Sequence, residues 1–236
     1  VKDMQSLPEG LKEKLCAWYD AGHRDLPWRQ DREPYHVWLS EIMLQQTRVE
    51  AVKGYYARFL TELPTIAALA DCPPDRLTKL WEGLGYYSRV RNLQKAAKII
   101  MEESGGVFPK TYDAVRALPG IGDYTAGAIC SICFELPTPA VDGNVLRVVS
   151  RLLASDEDIM KASVRTKIEN AIEPVIPEDA ASDFNQGLIE LGAIVCVPNG
   201  EAKCEICPLT GICEAKRLGI QNELPVKKKA KARRIE

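Results

Sequence analysis

The chain has 236 residues, 31 Lys and Arg against 33 Asp and Glu, a formal charge of −2 and 46% hydrophobic residues, so it can bury a large core as one domain or two compact lobes. No apolar run reaches the roughly 18 residues of a membrane span, and the opening Val1-Lys2-Asp3-Met4 lacks the apolar centre of a signal peptide. These features read as an intracellular monomer, cytoplasmic if bacterial, without membrane association. A uniformly basic nucleic-acid binder is excluded, because Lys227, Lys228, Lys229, Lys231, Arg233 and Arg234 crowd at the end and leave the rest more acidic. Any DNA-binding surface must therefore be local.

Apolar residues recur at helical spacing along the chain: Leu11, Leu15 and Trp18; Val37, Trp38, Ile42 and Met43; Val90, Leu93, Ala97, Ile100 and Met101; Phe184, Leu188, Leu191 and Ile194. Sustained strand alternation is absent, and prolines at 27, 64, 73, 74, 109, 119, 137, 139, 174 and 177 leave room for helices of roughly 8–20 residues. The expectation is an all-α protein of roughly ten or more helices. Arg89, Arg91, Lys95 and Lys98 share one predicted helix, and Lys203, Lys216 and Arg217 surround a run of cysteines. The basic tail reads as a disordered linker.

Leu118-Pro119-Gly120-Ile121-Gly122-Asp123-Tyr124 joins two glycines to a predicted helix start. Such a turn lets successive N–H groups face a phosphate without Cβ atoms in the way, reading phosphate rather than base sequence; a tight turn or helix C-cap is the plainer use of the same glycines. Asp142-Gly143-Asn144 opens another helix, where orphan N–H groups and the helix dipole would keep the carboxylate ionised. Glu41 lies within Trp38-Leu39-Ser40-Glu41-Ile42-Met43-Leu44-Gln45-Gln46-Thr47, and desolvation among these apolar neighbours would raise its pKa and suit it to donate a proton. Alone, one residue is a plain N-cap and the other a helix surface acid; together they suit glycosidic bond cleavage, with a protonated leaving group and a stabilised oxocarbenium-like centre. The two histidines, His23 and His36, neighbour no nucleophile pattern.

Cys196, Cys204, Cys207 and Cys213 fall within eighteen residues, a metal-ligating array in a reducing compartment. One Cys-x-x-Cys pair with two single cysteines suits a four-iron, four-sulfur cluster better than a paired-knuckle zinc site. Cys130 and Cys133 sit in an apolar run and read as small buried thiols.

These motifs, with Pro27-Trp28-Arg29 and Gly83-Leu84-Gly85-Tyr86-Tyr87, resemble the helix-hairpin-helix DNA glycosylases of the endonuclease III superfamily, and within it the branch that removes adenine mispaired with 8-oxoguanine or guanine. The resemblance implies two helical lobes with a DNA-binding cleft between them: an N-terminal segment (1–26) and residues 136–224 forming an iron–sulfur lobe with a [4Fe-4S] cluster on the four cysteines, and a six-helix barrel module with the hairpin (27–135). Residues 225–236 would be a linker to an absent Nudix-like domain. It also implies Glu41, Asp142, Tyr124 and Asn144 as catalytic; Gln46, Thr47, Tyr86, Gly120, Gly122 and Arg89 as DNA-binding; and Trp28, Arg29, Leu44 and Gln186 around the adenine. Tyr87 is expected in the core. Tyr124 replaces the lysine of strand-cleaving relatives, so a monofunctional enzyme is implied. The first cysteine gap is seven residues where the family usually has six, with Pro198-Asn199-Gly200 expected to turn there. The partner implied is double-stranded DNA. The alternatives are a thymine–guanine mismatch or oxidised-pyrimidine glycosylase of the same superfamily, or a non-catalytic DNA-binding module.

Overall fold

Proline and threonine mark where helices begin. Pro34 and Pro74 sit in first turns, where a missing N–H costs nothing, and the Thr65 and Thr111 hydroxyls each accept from the backbone N–H three residues on. In the computed structural model, which describes residues 6–228, the α-helices are α1 (Leu11–Gly22), α2 (Pro34–Leu44), α3 (Val49–Glu62), α4 (Ile66–Asp71), α5 (Pro74–Trp81), α6 (Ser88–Ser104), α7 (Tyr112–Arg116), α8 (Asp123–Phe134), α9 (Gly143–Leu152), α10 (Ala162–Ile172), α11 (Ala181–Ile194) and α12 (Glu214–Leu218). Short 3₁₀ turns occupy Pro27–Arg29, Glu173–Val175, Cys204–Ile206 and Thr210–Ile212. Among the described residues there is no strand, and no helix is long and apolar enough to cross a membrane. Positions 229–236 of the expected linker lie outside the described residues.

The chain divides into two units, residues 24–140 and residues 1–23 with 141–236. The first is built on α2 to α8, with Trp38, Phe59, Leu69, Trp81, Leu93 and Ile129 in its core. The second packs α1, α9, α10 and α11 around Leu15, Val145, Val149, Ile168, Phe184 and Leu188. The divisions fall at 23/24 and 140/141, a few residues from the expected 26/27 and 135/136. Leu26 joins the core of the first unit. Residues 136–140 fold back on α8, where Thr138 Oγ1 donates to the Gly127 carbonyl at 3.2 Å.

Local sequence explains most helix ends. At the end of α6, Gly105 adopts φ 60°, and the N–H groups of Gly105 and Gly106 donate to Met101 O and Ile100 O, each at 3.1 Å, satisfying carbonyls that the last turn would otherwise leave bare. Two glycines report close approaches. A Cβ on Gly127 would lie 2.0 Å from the Pro139 carbonyl oxygen, and one on Gly192 would lie 2.6 Å from Asn144 Cβ.

Gly127→Ala should therefore lower stability by about 1–3 kcal/mol, since backbone must move to admit the methyl. Gly54→Ala, in α3 with nothing within 4 Å of the added carbon, should raise stability by about 0.5–1 kcal/mol. Thermal unfolding of both variants checks the sign difference.

Candidate active site

Helix α2 is apolar almost all round, so every face needs cover. Tyr35, Val37, Trp38, Leu39, Ile42 and Met43 are buried, and Glu41 among them is only 8% exposed. Leu44 is half-buried against the same core, which also contains Trp28, edge-on to Tyr56 with ring centroids 5.6 Å apart. Arg29 donates through Nη1 to Arg24 O at 3.1 Å. Beyond the helix, Gln46 takes φ 57° and is exposed, while Thr47 is half-buried with its N–H on Leu44 O at 3.2 Å.

The hairpin lies between α7 and α8. Ile121 N–H closes the turn on Leu118 O at 3.2 Å, and Gly120 has φ 81°, a backbone region costly for any residue with a Cβ. Gly122 caps α8 without a side chain, which suits a phosphate approaching the first-turn N–H groups. Asp123 is the acid nearest those groups, but Arg116 pairs with it, Nε to Oδ1 at 2.5 Å, while Nη1 holds Ile121 O at 2.9 Å. The pair neutralises a carboxylate that would repel phosphate, and sequence reading missed it, because Arg116 precedes the motif and fits no pattern. Tyr124, at the second position of α8, is half-buried against the core of this unit.

In the other unit, Asp142 caps α9. Its Oδ1 accepts from Asn144 N–H at 2.8 Å and Val145 N–H at 2.9 Å, and its Oδ2 accepts from Asn144 Nδ2 at 2.7 Å. The expected cap is present, yet the electrostatic balance differs from the sequence expectation. Burial pushes the carboxyl above the ordinary aspartate range, and the N–H donors and Arg147 counter this only in part. Arg147, not anticipated, secures Asn144: its Nη2 donates to Asn144 Oδ1 at 2.8 Å and Gly192 O at 2.7 Å, and its Nε to Cys196 O at 2.8 Å. Gln186, on α11, donates to Ser182 Oγ at 3.0 Å.

Cys196, Cys204, Cys207 and Cys213 line one cavity of about 30 Å³ with Arg151, Lys203, Lys216 and Gln221. Among the described residues no set of three or more His, Cys, Asp or Glu side chains is arranged to hold a metal ion. Arg151 Nη1 donates to Cys196 Sγ at 3.2 Å, and Cys213 Sγ donates to Arg151 O at 3.5 Å. Burial pushes the Cys207 thiol up to about 12, and the neighbouring cysteines add to the rise. Gln221 Oε1 is buried without a partner. Gly200 turns at φ 78° in the lengthened first gap. Lys203 and Lys216 flank the cavity as expected from their positions, whereas Arg217 pairs with Glu214 at 2.6 Å.

One expectation fails in the 81–89 region. Tyr87, expected in the core, is 36% exposed beside the 65% exposed Tyr86; it is the N-cap of α6, outside the helix whose buried face begins at Val90. The Arg89 guanidinium donates to backbone carbonyls of Ile42, Met43, Gln45, Leu84 and Gly85. Cys130 is buried as expected, and Cys133 is half-buried.

The family model described as HhH-GPD superfamily base excision DNA repair protein matches residues 39–174. The adenine DNA glycosylase of Mus musculus is 43% identical over 214 residues, covering 87% of this chain and 41% of that protein. That of Buchnera aphidicola (subsp. Baizongia pistaciae) is 42% identical over 202 residues, covering 85% and 57%. The chain thus spans less than two thirds of the length of these curated relatives. Among solved structures, a thermostable thymine-DNA glycosylase aligns with a TM-score of 0.77 and 27% identity over 87% of this chain and 94% of that one. An endonuclease III trapped as a DNA covalent intermediate shares the fold at a TM-score of 0.72 and 23% identity, over 89% and 95%. With the family matched over more than half its length, the chain belongs to the HhH-GPD superfamily of base excision DNA repair proteins.

Proposed function

We propose that this protein is a monofunctional adenine DNA glycosylase, removing adenine opposite 8-oxoguanine or guanine from double-stranded DNA. The observation that carries the reading is the Asp142 carboxylate, fixed by three donors at the start of α9. An aspartate held this way can face a growing positive charge without reorganising. The adenine specificity rests on the two relatives of 43% and 42% identity. The unit 24–140 serves as the barrel module with the hairpin, and the other as the cluster lobe.

The target nucleotide must leave the base stack before either carboxyl can reach it. Glu41, buried on α2, gives a proton to adenine N7 from its protonated form. The C1′–N9 bond breaks with its electron pair on N9, and adenine leaves neutral. Asp142 stabilises the cation at C1′, and Asn144 and Tyr124 orient the groups around it. Water adds at C1′ and surrenders its proton to the Glu41 carboxylate, leaving an abasic site. A phenol at 124 has no amine with which to form a Schiff base, so the strand stays intact. Gly120 and Gly122 hold backbone phosphate, Gln46, Thr47 and Tyr86 meet the opposing base, and Trp28, Arg29, Leu44 and Gln186 line the adenine pocket.

The four cysteines fit a thiolate-bound metal group. The four thiols line one cavity, and four cysteines with a single Cys-x-x-Cys pair are a donor set that suits an iron–sulfur cluster. Cys196, Cys204, Cys207 and Cys213 would hold a [4Fe-4S] cluster. The cluster supplies a rigid cross-link for a loop made of short turns. Iron analysis of the purified protein should give about four irons per chain and a brown solution; one zinc and no colour would overturn the assignment.

Glu41→Gln and Asp142→Asn should each slow adenine excision by about 10²–10⁴-fold, read in single-turnover assays in which alkali cleaves the abasic product. Duplex binding should persist. Excision of thymine opposite guanine, with adenine untouched, would instead place the chain with the thymine-removing relatives.

A further inference from the structure

Arg89 stands at the second position of α6, a poor place for a cation, since the helix dipole puts positive charge there already. Its partners account for its presence. Nη1 donates to Gln45 O at 2.6 Å, Ile42 O at 3.0 Å and Met43 O at 3.1 Å, the carbonyls at the end of α2 that lack intrahelical partners. Nη2 donates to Leu84 O at 2.8 Å and Gly85 O at 3.3 Å, and reaches Thr47 Oγ1 at 3.5 Å. The guanidinium lies 5.3 Å from the Trp81 ring centroid and 5.8 Å from that of Tyr86. Nε is buried and without a partner, so no edge of the group is directed at solvent phosphate.

The planar fork thus joins two segments about forty residues apart in sequence. Each segment ends in a non-glycine residue with left-handed backbone: Gln46 at φ 57° directly follows the Gln45 carbonyl, and Tyr86 at φ 45° directly follows Gly85. Such backbones cost about 1–3 kcal/mol each and persist only when their surroundings fix them. Both side chains are exposed, Tyr86 at 65%. Arg89 holds the carbonyl immediately before each strained residue, so neither turn can relax without losing a charge-assisted hydrogen bond.

We propose that Arg89 is a positioning residue that fixes Gln46 and Tyr86 as one preassembled edge, on which the preference for the base opposite the excised adenine depends. The proposal rests on the adenine-glycosylase reading for its substrate. Lysine cannot replace the fork, because an ammonium has neither its planarity nor its spread of donors.

The test uses the whole chain with Arg89→Lys and Arg89→Ala. Single-turnover excision is measured with adenine opposite 8-oxoguanine and opposite guanine. Affinity is measured for the same two duplexes carrying a non-hydrolysable adenine analogue. Both variants should lose discrimination between the two opposing bases by about tenfold, equivalent to about 1.4 kcal/mol. Added guanidinium ion should restore part of it to Arg89→Ala and none to Arg89→Lys. Rates on both duplexes falling by one common factor, in step with the melting temperature, would overturn the proposal in favour of simple structural support. So would unchanged discrimination. If the parent protein binds the duplexes without removing adenine, the function reading fails, and the affinity ratio still decides the role of Arg89.

Discussion

A carboxylate taken out of water loses several kcal/mol of hydration, and each hydrogen bond to the charged form returns about 1.5–3 kcal/mol. At Asp142 these effects oppose each other, and burial is the larger. Two backbone N–H groups and one side-chain amide hold the oxygens, while burial still leaves the carboxyl above its ordinary range. In its charged form the carboxylate is oriented by fixed dipoles and only partly compensated by them. Such a group gains most when positive charge develops beside it, which is the demand of glycosidic cleavage.

The position of that carboxylate depends on the start of α9, and the setting of α9 depends on arginines that bond backbone. Arg147 ties Asn144 to Gly192 on α11 and to the carbonyl of Cys196. Gly192 must be glycine because Asn144 occupies the space of its Cβ. Arg151, one turn later, binds Val197 O, Leu224 O and the Cys196 sulfur. Both guanidiniums lie inside the unit, 5% and 4% exposed, where unpaired they would be costly; their carbonyl partners make them structural struts. The cysteine loop and the Asp142 cap are therefore parts of one hydrogen-bonded assembly.

How much of this was legible in the sequence follows from the range of each interaction. The helices, their proline starts and the Asp142 cap were readable, because an N-cap and its donors lie within three residues. The hairpin was readable because Gly120 and Gly122 perform a local backbone task. Arg147 was invisible: its carbonyl partners lie 45 and 49 residues away and carry no residue-type signature. The carbonyl partners of Arg89 on α2 were invisible for the same reason. A basic residue among others on an amphipathic helix looks like a solvated face until the bare carbonyls at the end of α2 are brought to it. Tyr87 shows the converse, an aromatic assigned to the core on type alone and left at the surface by the turn before α6.

The central claim is that a neutral Glu41 delivers a proton to N7 of an extruded adenine while Asp142 answers the charge on the sugar. Replacing the target adenine by 7-deazaadenine removes N7 and leaves the rest of the nucleotide almost unchanged. The account predicts that a duplex with this base opposite 8-oxoguanine binds with undiminished affinity and is not cut to an abasic site in single-turnover assays. Excision of the deaza base at the rate of adenine would contradict it.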